Sequence, residues 1–157
     1  MDLASRDRNR SQQVEYVSSQ LLARAALLTR LLINQMAVDV SRTEAGVLNT
    51  LDGGPRRITE LAELEGLAQP TMTLLVKRLE QRGLVTRERQ VDDGRVVLVY
   101  LAEAGRTALR AFRAQVGAAL QEYLAETSDE QIEALAAATD TLATLVAILQ
   151  RGAAGAS

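Results

Sequence analysis

The residues of this chain best suited to chemistry fall between Gln69 and Arg95, and they offer hydrogen bonds and charge, not bond breaking. Gln69, Pro70, Thr71, Thr73, Leu74, Lys77 and Arg78 lie close together, and Arg87, Arg89, Asp93 and Arg95 follow. A Gln amide can pair with an adenine edge, and a Thr hydroxyl can bond a base or a phosphate. Lys and Arg neutralise phosphates and fix a protein on a duplex without reading its sequence. The rest of the chain has little to offer a reaction. It holds no Cys and no His. That removes thiol nucleophiles, disulfides, thiol redox sensing, zinc–thiolate sites and imidazole acid–base catalysis together. Carboxylate pairs such as Glu60 with Glu63, or Asp92 with Asp93, stand without a nucleophile or a glycine-rich phosphate loop. They read as solvated charge. No loop has the acidic spacing of a calcium-binding hand, so neither a metal nor a cofactor is expected.

Net charge alone does not mark a partner for polyanions, because it is −2. Its distribution does. Between Gln69 and Arg89 stand Lys77, Arg78, Arg82, Arg87 and Arg89 against Glu80 and Glu88, whereas every charge from Ala114 to Gln150 is acidic. A basic middle between neutral and acidic flanks suits a local contact with duplex DNA.

The elements that must position these residues follow from periodicity. Met72, Leu75, Val76 and Leu79 recur at helical spacing. They predict a helix from Gln69-Pro70 to Arg82 that buries them and turns Gln69, Thr71, Thr73, Leu74, Lys77 and Arg78 outward. Proline is expected at its first position, and Gly83 just past its end. Before it, Thr59 is expected to cap a short helix through Leu64, ended by Gly66, with a short strand at Ile58. Ser41-Arg42-Thr43-Glu44 is a capping box that starts a helix to about Leu51. After it, Leu84–Arg89 and Arg95–Leu101 read as strands joined through Asp92-Asp93-Gly94, a β-hairpin. Arg87, Arg89 and Arg95 place charge on that hairpin, and a narrow minor groove attracts an inserted Arg. Long helices are expected at about 13–37, with Val14, Val17, Leu21, Ala25, Leu28, Leu32 and Met36 on one stripe, and at about 103–125. A last helix opens at the second capping box, Ser128-Asp129-Glu130-Gln131. Residues 1–12 read as a flexible arm and 151–157 as a disordered tail. The most apolar run is Leu21–Val40, which Arg24, Arg30 and Asp39 interrupt, so no membrane span is expected and a cytoplasmic place follows. The predicted fold is therefore mainly α with a small β-hairpin wing: a winged helix-turn-helix over 41–102, between helices at both termini.

These residues resemble the MarR family of bacterial regulators. The likeness is carried by Leu61-Ala62, by Thr71-Met72-Thr73, and by Leu79-Glu80-Gln81-Arg82-Gly83-Leu84-Val85. The wing adds Asp93 and Arg95, then Val97-Leu98-Val99 and Leu101-Ala102-Glu103-Ala104-Gly105. The resemblance implies a homodimeric transcriptional repressor that binds double-stranded DNA at near-palindromic sites. Residues 13–40 and 103–150 would supply the dimerisation helices, and 41–102 the DNA-binding domain. It also implies release by a small aromatic or anionic effector, for which Thr29, Arg30, Asn34 and Gln35 are the candidate polar contacts. Two positions depart from the pattern. Ala102 stands where the family has a capping Thr, and Leu74 stands outward where members often carry a polar or basic residue. Leu74 can meet a thymine methyl there, or it can be buried. The competing reading is a winged helix that binds protein instead of DNA.

Overall fold

A computed structural model of the chain describes residues 3–36, 39–89 and 96–154. It divides into two compact units, Met1–Val116 and Gly117–Ser157. In the first, α1 (Leu3–Asn34) is followed by α2 (Arg42–Asp52), β1 (Arg56–Arg57), α3 (Ile58–Leu64), α4 (Gln69–Gln81), β2 (Val85–Arg89), β3 (Val97–Leu101) and most of α5 (Glu103–Leu124). The second holds the end of α5 and α6 (Asp129–Ala154).

Apolar spacing and end chemistry explain the elements of the first unit. The Glu44 amide donates to the Ser41 hydroxyl at 3.2 Å, and the Ser41 amide donates to the Glu44 carboxylate at 2.8 Å, so the capping box forms. Ala45, Val47, Leu48 and Leu51 of α2, Leu61 and Ala62 of α3, and Met72, Leu75, Val76 and Leu79 of α4 share one core. Val85, Val99, Leu101 and Leu109 close it from the sheet and from α5. Both helix-turn-helix helices end in the same way. Past α3, Gly66 donates to the Glu63 carbonyl and Leu67 to that of Ala62 at 2.9 Å; past α4, Gly83 donates to Glu80 and Leu84 to Leu79, each at 2.9 Å. This pair of bonds needs a left-handed residue, and glycine at φ 65° and 69° supplies it at both places.

The sheet is antiparallel in the order β1-β3-β2. Val85 opposes Leu101, and Arg87 opposes Val99. Val85 and Arg87 therefore lie on one face of β2, with Arg87 one step farther from the core. The start of α5 presses on this sheet. A Cβ on Gly105 would stand 2.1 Å from the Leu84 carbonyl oxygen and 2.7 Å from the Leu101 side chain. The Ala102 amide donates to that same Leu84 carbonyl at 3.1 Å. Farther along α5, Arg106 and Arg113 reach Asp52 at 3.4 and 3.3 Å, so the end of α2 is tied to α5 by charge.

Several boundaries differ from expectation. Residues from Leu3 to Gln12 continue α1 instead of forming an arm, because they hold neither Pro nor Gly and include Leu3, Ala4, Arg6, Arg8, Arg10 and Gln12, all of types that favour helix. The short strand is Arg56–Arg57, and Ile58 already belongs to α3. The cap of α3 is Arg57, not Thr59; its amide donates to the Glu60 carboxylate at 2.7 Å, the half of a capping box that the third helical residue supplies. α6 runs through Gly152 to Ala154.

In the second unit, Ser128 and Gln131 exchange the expected capping bonds, both at 3.3 Å. Leu135, Leu142, Leu145, Val146 and Leu149 are exposed along one side of α6. Among the described residues α6, over Asp129–Gly152, is the one helix long and apolar enough to cross a membrane by length and composition, with mean hydropathy 1.7. This corrects the ranking that placed Leu21–Val40 first: Arg24, Arg30 and Asp39 are spread along that run, whereas the charges of α6 gather at its ends and leave only Asp140 between Ala134 and Gln150.

Two glycines of α5 should respond oppositely to alanine. Gly105→Ala should lower unfolding free energy by about 1–3 kcal/mol, since backbone must move to admit the methyl. Gly117 has nothing within 4 Å of the same methyl. Gly117→Ala should be neutral or raise stability by up to about 1 kcal/mol, because alanine favours helix. Denaturant titration of the two variants checks both.

Candidate nucleic-acid interface

The outward side of α4 is the candidate site. Four buried residues, Met72, Leu75, Val76 and Leu79, fix the helix against the core. Gln69, Pro70, Thr71, Thr73, Leu74, Lys77 and Arg78 are all exposed on what remains. The sorting matches the expected one, with one small shift: the helix starts at Gln69 after Ala68, so Pro70 takes its second position. Ala68 offers no side-chain cap, which leaves first-turn N–H groups able to meet an anion. The Thr73 hydroxyl donates to the Gln69 carbonyl at 2.9 Å and keeps its lone pairs for an outside donor. Leu74 is exposed at 63%, which removes the buried alternative.

The basic residues separate into two groups. Arg82 donates to the Glu44 carboxylate at 3.1 Å and to the Asp39 carbonyl at 2.8 Å, joining the end of α4 to the start of α2. Arg87 bonds Glu80, joining the wing strand to α4. This pair follows from the sheet register, which puts Arg87 on the face of Val85, just beyond the core edge. Lys77, Arg78 and Arg89 are exposed and form no ion pair among the described residues. Arg87, expected as a DNA contact, is thus already committed within the chain. Asp93 and Arg95, the wing-tip candidates, lie outside the described residues. Thr29, Arg30, Asn34 and Gln35 are exposed at the end of α1, where the Thr29 hydroxyl donates to the Ala25 carbonyl at 2.8 Å.

Glu44 and Arg82 are functional in a sense that sequence reasoning missed: they set where α4 lies. The capping box marked Glu44, but its second partner is 38 positions away and leaves no local signal. Burial pushes the Glu44 carboxyl up, and the Ser41 amide and hydroxyl together with Arg82 pull it down by more, so the net shift is downward. Glu80 is also lowered, first by the bond from Arg87.

Comparison with known proteins matches residues 40–97 to the MarR family. The uncharacterized HTH-type transcriptional regulator YpoP of Bacillus subtilis is 28% identical over 102 residues, which are 64% of this chain and 72% of YpoP. Two solved structures are similar over most of their length. The transcriptional repressor CouR bound to a 23-mer DNA duplex is 27% identical, with 83% of this chain and 95% of that one covered and a TM-score of 0.58. NadR in complex with 4-hydroxyphenylacetate is 25% identical, with 81% and 89% covered and a TM-score of 0.54.

Acid should act on this site through Glu44. Its folded pKa lies below its ordinary value of 4.5, so its contribution is complete above that value and is lost as pH falls through the lowered one. Glu44→Gln should cost about 1 kcal/mol at pH 7, a charge-assisted bond discounted for the half-exposed Arg82. The gap between parent and variant should close as pH drops below about 4.5. Unfolding titrations at pH 7 and through the acid range check the sign.

Proposed function

The chain belongs to the MarR family of DNA-binding transcriptional regulators, and from that premise we propose that it is a homodimeric repressor of near-palindromic operators, released by a small effector. The observation that carries the proposal is the free side of α4. Lys77 and Arg78 stand exposed and without ion pairs among the described residues, while Arg82 and Arg87 on either side are neutralised within the chain. A helix so placed enters a major groove with Gln69, Thr71 and Thr73 at base edges and Lys77 and Arg78 at phosphates. Arg89 adds charge from the wing, and the sequence assigns Arg95, beside Asp93, to the adjoining minor groove. Such a protein is not an enzyme, and it works where the chromosome is, in the cytoplasm.

Dimerisation is supported by apolar surface in each unit. Val14, Val17, Leu28 and Leu31 of α1 are exposed in the first, and the α6 stripe in the second. A second copy covers such surface and doubles the half-sites read. For the effector, NadR holds an aromatic carboxylate. A small aromatic anion is therefore the class proposed here, with Thr29, Arg30, Asn34 and Gln35 as its first candidate contacts. The lack of Cys leaves no thiol for redox sensing.

Sedimentation at micromolar concentration should give a dimer. A monomer, or recovery only with lipid vesicles, would refute this assembly. Binding titrations over a salt series should give a steep slope. Lys77→Ala should flatten it by about 1 for each phosphate that is no longer neutralised, so by about 2 for the two protomers together. Equal slopes for parent and variant would place Lys77 away from the phosphates.

A further inference from the structure

We propose that Leu74 reads the 5-methyl group of a thymine in the major groove. The proposal rests on the DNA-binding reading above and names what one residue of that site recognises. Leu74 is the large apolar residue on the exposed side of α4. It stands four positions after Pro70, three before Lys77 and four before Arg78, so it lies mid-face between the helix N-terminus and the cations. The buried residues Met72, Leu75 and Val76 surround it in sequence but face the core. Most of its side chain is therefore open to an apolar partner from outside.

Charge decides what that partner is. An apolar side chain flanked by Lys77 and Arg78 approaches a polyanion together with them, and the phosphates they bind bring base edges to the middle of the helix. The thymine methyl is the apolar group that a major groove presents, and no other base carries one. The neighbouring Thr71 and Thr73 can bond polar base edges, which leaves Leu74 for the methyl. Burying one methyl against it is worth roughly a fourfold gain in affinity, and two half-sites give roughly fifteenfold.

The experiment removes the methyl and nothing else. A duplex recovered by the full-length protein from a random-sequence pool is remade with each thymine replaced in turn by deoxyuridine. Parent, Leu74→Ala and Leu74→Met are titrated against the set. Thermal unfolding of both variants should match the parent, as Leu74 is exposed. At one thymine per half-site, uracil should cost the parent roughly fourfold, Leu74→Met a similar factor, and Leu74→Ala nothing. Equal losses for the parent and Leu74→Ala at every thymine overturn the proposal while the DNA-binding reading stands. Loss of the dimer in Leu74→Ala overturns it in favour of a protein contact. Failure of the parent to enrich any duplex removes both readings at once.

Discussion

The fold turns on the peptide group of Leu84. Its N–H closes the end of α4 on the Leu79 carbonyl, and its own carbonyl receives the Ala102 amide. Gly105 lies over the same oxygen so closely that no side chain fits between them. One residue thus ties together the last turn of α4, the start of β2 and the first turn of α5. Backbone bonds are short and directional, and this pair fixes angles that side-chain packing alone would leave loose. The positions of Lys77 and of Arg89 relative to each other depend on that joint.

The two ion pairs add a second level of control. Arg82 with Glu44 holds the far end of α4 to α2, and Arg87 with Glu80 holds it to the wing. Neither is fully buried, so each is a modest contribution to stability. Their larger effect is on charge. Two of the arginines nearest α4 are balanced within the chain, so the positive potential is concentrated at Lys77, Arg78 and Arg89. A net charge of −2 then coexists with a local basic face.

Much of this could be read in the residues. The spacing of Met72, Leu75, Val76 and Leu79 correctly sorted both sides of α4, and Gly66 and Gly83 correctly marked the ends of α3 and α4. Ser41 and Glu44 announced their own cap. What could not be read depends on distance in the chain. Arg82 and Arg87 looked no different from Lys77 and Arg78, because a guanidinium carries no sign of a carboxylate that folding brings to it from another element. The first helical turns of α1 were missed because polar residues without apolar rhythm give a helix no periodic signature, although their propensities permit one. Thr59 was a reasonable cap by type, but the Glu60 carboxylate reached the Arg57 amide and moved the start upstream.

The strands themselves set a limit on how copies of this protein can associate. β1 is two arginines long, and the other edge of the sheet, β2, reads Val-Thr-Arg-Glu-Arg. Short, charged edges resist the addition of further strands, which is how open-ended stacks grow. The apolar surface available for contact lies instead on helices, whose backbone bonds are already satisfied internally. Contacts between such surfaces are made by side chains alone, and a pair related by a two-fold axis uses them up. Crowding or partial unfolding should therefore lead this chain to saturable clusters of helices before it leads to fibrils.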